Sequence, residues 1–184
     1  MLLCLTFIWA TAGFSAPPSE EDDVLKDLEA ELQRSLKVEK ATKSSPAVEG
    51  YLALSLKYLD RGESDKAIKY ANKGLELGLV ELGAEHHDVG LSYNNLGFAY
   101  NAKGEYDKAI GYYEKDLAIS IKALGAEHPH VGGTYNNLGG VYNDKGDKAI
   151  ALAYLLKAKA IYLKKLGAQH PKTKKVQLGI DSLK

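Results

Sequence analysis

Apolar residues in the middle of the chain recur at intervals of three and four, the spacing that places them on one face of an α-helix. One series covers residues 89–100 and another covers residues 110–124, with these members: Val89, Tyr93, Leu96 and Tyr100, then Ile110, Tyr113, Leu117, Ile121 and Leu124. Lys103 and Gly104 separate the two series, and Gly125 follows the second. Because glycine adopts the left-handed conformation that ends a helix at little steric cost, the pattern predicts two helices joined by a tight turn.

This helical hairpin pattern repeats with a period of 42 residues. The segment Leu-Gly-Ala-Glu-His begins at residue 82 and again at residue 124, and Leu-Gly-Ala-Gln-His begins at residue 166. Between these segments, Tyr-Asn-Asn-Leu-Gly begins at residue 93 and again at residue 135. A period of this length indicates a stack of hairpins, since one hairpin alone cannot bury its apolar face.

The repeated unit resembles the tetratricopeptide repeat (TPR), in the long form found in kinesin light chains. The second unit matches the family phrase L-G-x-x-H-P…Y-N-N-L-G…Y…G-x-Y-x-x-A well, and the similarity extends over residues 48–171. The family places a small residue early in the second helix, and three alanines hold that place at 42-residue intervals: Ala67, Ala109 and Ala151. Gly146 and Gly167 preserve the same period, so the register assigns the packing position to Ala151 and not to Ala149.

The resemblance implies an all-α fold, a right-handed TPR-like α-solenoid of three helical hairpins with a flanking helix at each end. The expected order along the chain is an amphipathic N-terminal helix at residues 20–42, a degenerate first repeat at 48–87, a second repeat at 88–129, a third repeat at 130–171 and a C-terminal capping helix at 172–184. The first of these segments carries leucines at spacings of three and four, which favours a helix that covers the first repeat over a short coiled coil.

The first 16 residues form an apolar run that ends before Pro17-Pro18 and a block of acidic residues at 20–23. The run has the length of a signal-peptide core, is too short to span a bilayer as a helix, and contains Ala10-Thr11-Ala12, which fits the small-x-small cleavage pattern. No Lys or Arg precedes the apolar core, so a retained apolar leader, buried in the fold, or a gene-model artefact is the alternative. Residues 12–17 are also similar to the junction of plastid-targeting sequences, an interpretation that the acidic block disfavours.

We expect a secreted or exported protein if the leader is cleaved, and a cytoplasmic one otherwise.

Composition argues against several classes of function. Lys plus Arg and Asp plus Glu number 24 each, and this zero net charge gives no indication of nucleic-acid binding. The single cysteine, Cys4, lies in the leader and cannot build a disulfide framework or a cysteine-based zinc site. The chain has no Gly-rich phosphate loop after a strand and no G-x-S-x-G elbow. We therefore expect no enzyme activity, no catalytic residue and no cofactor.

One histidine recurs in each unit, at positions 86, 128 and 170, just before a predicted helix. The interpretation that fits all three is a turn residue that helps to start the helix. A metal site built from His86-His87, or from His128 and His130, is the alternative. No cysteine accompanies these histidines, and we expect no metal.

In the TPR family the first helices line a concave groove in which partners bind. The resemblance places the following residues on that groove: Leu52 and Leu56 of the first unit, Asn94, Asn95, Phe98 and Asn101 of the second, and Asn136, Asn137 and Asn143 of the third. An asparagine side chain carries both a donor and an acceptor, so it can pair with the backbone of an extended peptide. For Asn95 and Asn137, a hydrogen bond to the neighbouring unit is the alternative. These positions hold no Lys or Arg, which disfavours recognition of a C-terminal carboxylate.

The expected function is a non-catalytic scaffold or adaptor that binds an extended peptide or a partner protein. We expect no nucleic-acid partner and no integral membrane span in the mature chain. The alternative is a structural assembly module that self-associates through its terminal helices. The acidic block at 20–23 and the lysine-rich stretch at 164–175 provide opposite charges for weak self-association.

Two features depart from the family pattern. Asp116 takes a packing position where the family usually has alanine, and Gly74 and Gly78 lie inside the second helix of the first unit. Glycine in a helix costs about 1 kcal/mol relative to alanine, so we expect an array that is only marginally stable without its flanking helices.

Overall fold

The computed structural model describes residues 45–183, and within this range it contains helices and turns but no strand. The predicted leader at residues 1–16 and the predicted N-terminal helix at 20–42 lie outside the described residues. The helices are α1 (Pro46–Asp60), α2 (Ser64–Glu81), α3 (His87–Ala102), α4 (Tyr106–Leu124), α5 (Pro129–Lys145), α6 (Lys148–Leu166) and α7 (Pro171–Asp181). None of these helices is both long enough and apolar enough to cross a membrane.

Helices that are consecutive in sequence pack against each other. Helices α1 and α2, α3 and α4, and α5 and α6 form three hairpins, while α2 packs on α3, α4 on α5, and α7 on α6. Among the first helices of the hairpins, α1 also contacts α3 and α3 contacts α5. The first helices therefore form one continuous layer, and the described part of the chain is an α-solenoid of three TPR-like hairpins followed by a helix.

Glycines with positive φ angles occur at the turns with the same 42-residue period. They are Gly62, Gly104 and Gly146 within the hairpins, and Gly83, Gly125 and Gly167 between them, with φ from 73° to 96°. A residue with a side chain is strained in this region, which explains why glycine recurs at these places.

The recurrent histidines cap the helices that they precede, α3, α5 and α7. The Nδ1 atoms of His86, His128 and His170 each accept a hydrogen bond from the backbone N–H two residues later, at 3.1 Å. This satisfies a donor that the first turn of a helix leaves without an intrahelical partner. The interpretation of these histidines as helix-starting residues is confirmed. Within residues 45–183, no group of three His, Cys, Asp or Glu side chains is arranged to hold a metal ion.

Small residues allow the helices of a hairpin to approach closely. Ala67, Ala109 and Ala151 are fully buried while Ala149 is exposed, which confirms the predicted register. A Cβ atom built on Gly97 would lie 2.7 Å from the ring of Tyr113 in the facing helix. Gly97 lowers the helix propensity of α3, but it also provides the space that α3 and α4 need to pack closely.

Candidate peptide-binding groove

Equivalent positions in the first helices present different side chains along the layer. Leu56 in α1 is 47% exposed and Phe98 in α3 is 41% exposed. The same position in α5 is Gly140, and a Cβ atom added there would meet no atom within 4 Å. The layer therefore offers two exposed apolar side chains on consecutive hairpins and an open space on the third.

The ring of Phe98 has a defined support. It makes an edge-to-face contact with the buried ring of Tyr113, with 5.8 Å between the ring centroids. Such contacts hold aromatic rings in a preferred orientation. Phe98 is thus exposed on one side and fixed on the other.

The side chain of Asn94 is not open to a ligand. It is 8% exposed, and its Nδ2 atom donates a hydrogen bond to Oδ2 of Asp116 at 2.6 Å. This placement differs from the expectation that Asn94 presents its amide in the groove. Asn94 lies at the border between the groove and the packed interior, and the hydrogen bond to Asp116 directs the Asn94 side chain inwards.

Asn95 and Leu52 also lie in the interior and contact each other. Asn95 is 5% exposed and donates from Nδ2 to the carbonyl oxygen of Leu52 at 3.2 Å, which links α3 to α1. The side chain of Leu52 is itself 7% exposed and belongs to the core. For Asn95 the structure shows the hydrogen bond to a neighbouring unit that was the alternative to a role in the groove.

The amide groups of the third hairpin are the accessible ones. Asn136 and Asn137 are half-buried and Asn143 is exposed, and none has a side-chain hydrogen bond to another of residues 45–183. Asn101 in the second hairpin donates to Oδ2 of Asp144 at 3.2 Å, while its Oδ1 atom is buried without a partner in the described part of the chain. The side-chain amides that are accessible to a ligand therefore lie mainly in the third hairpin.

Asp116 is the centre of a buried polar cluster that joins α3, α4 and α5. Its two carboxylate oxygens receive hydrogen bonds from Asn94 (2.6 Å), Thr134 (2.7 Å), Ser120 (2.8 Å) and His130 (3.0 Å). Because a carboxylate can only accept, Nε2 of His130 carries the proton in this pair. We call these residues, Asn94, Asp116, Ser120, His130 and Thr134, the Asp116 cluster.

The charge of Asp116 is stabilised within this cluster. Burial raises the pKa of the carboxyl group, but the hydrogen bond and charge of His130 and the hydrogen bonds of Thr134 and Asn94 outweigh it, so the pKa lies below its usual range. His87 lies beside the cluster with its ring perpendicular to that of His130, at 4.8 Å between centroids. Burial, and then the proximity of His130, lowers the pKa of His87. Asp116 stood out in the sequence, but its hydrogen bonds did not, because the partners lie 4 to 22 residues away on three helices.

The comparisons with known proteins place the fold among TPR arrays. The sequence model of the tetratricopeptide repeat family matches residues 46–122 and 88–164. The structure is similar to that of the kinesin light chain TPR-like repeats of Podospora anserina, with 25% identity, a TM-score of 0.67, and coverage of 77% of this chain and 67% of the other. It is also similar to BtubC (BKLC) from P. vanneervenii, with 22% identity, a TM-score of 0.68, and coverage of 88% and 68% respectively.

One of the similar solved structures contains a bound peptide. The type III secretion chaperone SycD of Yersinia enterocolitica, in complex with a peptide of the translocator YopD, is 20% identical to this chain with a TM-score of 0.57. The similarity covers 76% of this chain and 94% of SycD. Among curated proteins, none matches this sequence.

Proposed function

We propose that this chain, which belongs to the tetratricopeptide repeat family, is a non-catalytic scaffold that binds an extended segment of a partner protein along its first helices. The observation that carries the proposal is the exposure of Leu56 and Phe98 at equivalent positions of α1 and α3. Large apolar side chains that are exposed side by side on a continuous layer are typical of a binding surface.

Two kinds of contact would hold the segment. Covering a leucine or phenylalanine side chain completely contributes about 1.5–3 kcal/mol, so covering the exposed part of Leu56 and Phe98 supplies roughly half of that for each. The amides of Asn136 and Asn143 would pair with peptide groups of the segment over α5. We therefore expect apolar side chains in the part of the ligand over the first two hairpins and a more polar part over the third.

The fold that this chain shares with a peptide-bound array supports a peptide as the ligand. SycD, whose structure with a YopD peptide is known, is a TPR array that this chain covers almost completely. The buried Asn94 and Asn95 would act here through the backbone positions that they fix in α3.

A comparison of two double variants tests the proposal. The groove variant Leu56→Ala/Phe98→Ala removes the apolar pair on the first helices. The control variant Leu79→Ala/Leu163→Ala removes a pair of similar exposure, 41% and 47%, on the second helices α2 and α6. Each protein is used as bait in a lysate of the source organism, and circular dichroism verifies that its helix content equals that of the wild type.

We expect a partner that the wild type and the control variant capture and that the groove variant loses. Identical sets of captured proteins for all three baits would reject the groove as the working surface.

A second candidate function is self-association through a terminal helix. It is favoured by Leu178 on α7, whose side chain is 71% exposed. Light scattering of the full chain and of a Leu178→Gln variant distinguishes the two candidates. A mass above that of the monomer that falls in the variant would support assembly, whereas a monomeric mass for both would reject it.

A further inference from the structure

Tyrosines form one stacked group on each hairpin, with the 42-residue period of the fold. In each group a ring of the second helix lies between two rings of the first helix, and the groups are Tyr51, Tyr70 and Tyr58, then Tyr93, Tyr112 and Tyr100, then Tyr135, Tyr154 and Tyr142. The centroids of stacked rings are 5.2 to 6.4 Å apart. All of these rings are half-buried, so each group supports neighbouring helices and also reaches the surface.

One lysine of each second helix lies over two rings of its group. The Nζ atoms of Lys73, Lys115 and Lys157 are 5.3 to 5.7 Å from the ring centroids. Contact with the faces of aromatic rings fixes a cation without neutralising it. We call these three residues the lysine row.

The lysine row differs from most other lysines that have ordered contacts, although Lys172 also lies over a ring, that of Tyr162, at 5.9 Å. Lys66, Lys103, Lys108, Lys122, Lys145 and Lys164 each pair with a carboxylate. For the lysine row, no carboxylate of residues 45–183 lies within 4.0 Å of the ammonium group. Three exposed positive charges, all on the second helices, are thus held in place without an ion pair to any of residues 45–183.

We infer that the lysine row is a second docking surface, separate from the groove, for an extended acidic segment of a partner protein. Each second helix packs on the first helices on either side of it and not on the next second helix, so neighbouring members of the row are separated by more than the roughly 8–10 Å between packed helices. An extended chain advances roughly 3.3–3.6 Å per residue, so every fourth residue recurs after roughly 13–14 Å. A segment with a carboxylate at every fourth residue therefore suits the row, and the half-buried tyrosines provide the surface on which its intervening residues lie.

The charge distribution favours an acidic polypeptide over a nucleic acid. The chain has zero net charge, and only Arg34 and Arg61 supply guanidinium groups for phosphate recognition. Burial is the main cause of the raised pKa of the Tyr154 hydroxyl group, and the nearby Tyr142 and Glu114 add to it. The carboxylate of Glu114 thus lies near Tyr154 and reduces the positive potential between the second and third hairpins. Three separated charges with a carboxylate nearby suit a sparse row of carboxylates better than the dense charge of a phosphate backbone.

The test uses the full chain and two fluorescently labelled synthetic peptides of equal composition. The first carries glutamate at every fourth position, and the second carries the same glutamates in one block. The row variant Lys73→Gln/Lys115→Gln/Lys157→Gln is compared with the control Lys57→Gln/Lys174→Gln/Lys175→Gln. The control lysines are exposed, have no ion pair with residues 45–183, and change the net charge by the same amount.

We expect the wild type to bind the spaced peptide more tightly than the block peptide, by fluorescence anisotropy at low salt. The row variant should bind the spaced peptide about tenfold more weakly, since exposed ion pairs are individually modest but three are lost together. The control should stay within about twofold of the wild type, and Glu114→Gln should bind more tightly. The groove variant Leu56→Ala/Phe98→Ala should bind this peptide like the wild type, which separates this inference from the proposed function.

Several outcomes would overturn the inference. Equal losses in the row variant and the control would show a non-specific charge effect, and equal binding of both peptides would show that spacing is not recognised. Tighter binding of a single-stranded RNA oligonucleotide, lost in the row variant, would assign the surface to nucleic acid. A decrease in the mass of the protein itself in the row variant would assign it to a second copy of the chain.

Discussion

Asp116 links the second and third hairpins through hydrogen bonds from His130 and Thr134. Its carboxylate accepts four hydrogen bonds from three helices while it is fully buried. At the equivalent positions the first hairpin has Gly74 and the third has Ala158, both of which are buried. The second hairpin thus replaces a small packing residue with a charge that has two partners in the same hairpin and two in α5.

The substitution Asp116→Ala should lower the free energy of unfolding by about 3 kcal/mol. It leaves buried donors of the Asp116 cluster, including Asn94 and Ser120, without an acceptor. Removing one partner from a buried, hydrogen-bonded charge costs about that much. Denaturant unfolding followed by circular dichroism measures the change. Ala160→Ser, at an exposed position of α6, is the control and should alter stability by less than about 0.5 kcal/mol. A loss in Asp116→Ala no larger than in this control would show that the cluster does not stabilise the array.

Stability should fall as the pH drops from 7 towards 5, in part because of His87. Its folded-state pKa is lowered by burial and by His130 from the usual 6.5, so the unfolded chain binds a proton more readily than the folded one. The contribution is complete above pH 6.5 and is lost as the pH falls from there towards the folded-state pKa. In the His87→Gln variant, the free energy of unfolding should depend less steeply on pH over this interval. An unchanged slope would show that His87 is not responsible.

At the scale of the helices, alanine substitutions at Gly97 in α3 and at Gly140 in α5 should change the stability in opposite directions. Gly97→Ala would place a Cβ atom 2.7 Å from the ring of Tyr113 and should destabilise the protein by about 1–3 kcal/mol. Gly140→Ala meets no atom within 4 Å and should stabilise it by about 0.5–1 kcal/mol through helix propensity. Thermal unfolding of both variants provides the comparison. A stabilising Gly97→Ala would contradict the close packing of α3 on α4.

The helices and turns were predictable because they depend on local residue types repeated at a fixed period. Gly104 and Gly125 occupy turns that need a positive φ, and Ala151 occupies a place where two helices pack closely. In each case the residue type itself indicates what the position requires. The direction of Asn94 was not predictable in this way. Its helical position borders both the groove and the interior, and the choice between them depends on Asp116, which is 22 residues away in the facing helix. Side-chain hydrogen bonding between helices has no periodic signal in a single sequence.

At the scale of the whole molecule, α7 closes the array by covering the third hairpin. Val176 and Ile180 of α7 are buried against Leu155, Ala158 and Tyr162 of α6. In a stacked array each unit is stabilised by its neighbours, so loosening the end of the stack should affect the third hairpin most.

Ile180→Ala should therefore lower the free energy of unfolding by about 2–4 kcal/mol, because the side chain is 4% exposed. Leu178→Ala on the same helix is the control, since its side chain is 71% exposed, and it should change stability by less than about 0.5 kcal/mol. Hydrogen exchange should show faster opening of α5 and α6 than of α3 and α4 in Ile180→Ala. Uniform acceleration along all helices would contradict a role for α7 specific to the third hairpin.

In the proposed function a partner segment lies on the first helices. Site-specific photocrosslinking at a first-helix position tests this contact. A photoreactive phenylalanine analogue replaces Phe98 in one protein and Leu163 in another, and each is irradiated in a lysate of the source organism. These two positions have similar exposure but lie on a first helix and a second helix respectively. We expect a covalent product with a partner polypeptide at position 98 that is absent at position 163. The same products at both positions, or a partner attached only at position 163, would contradict it.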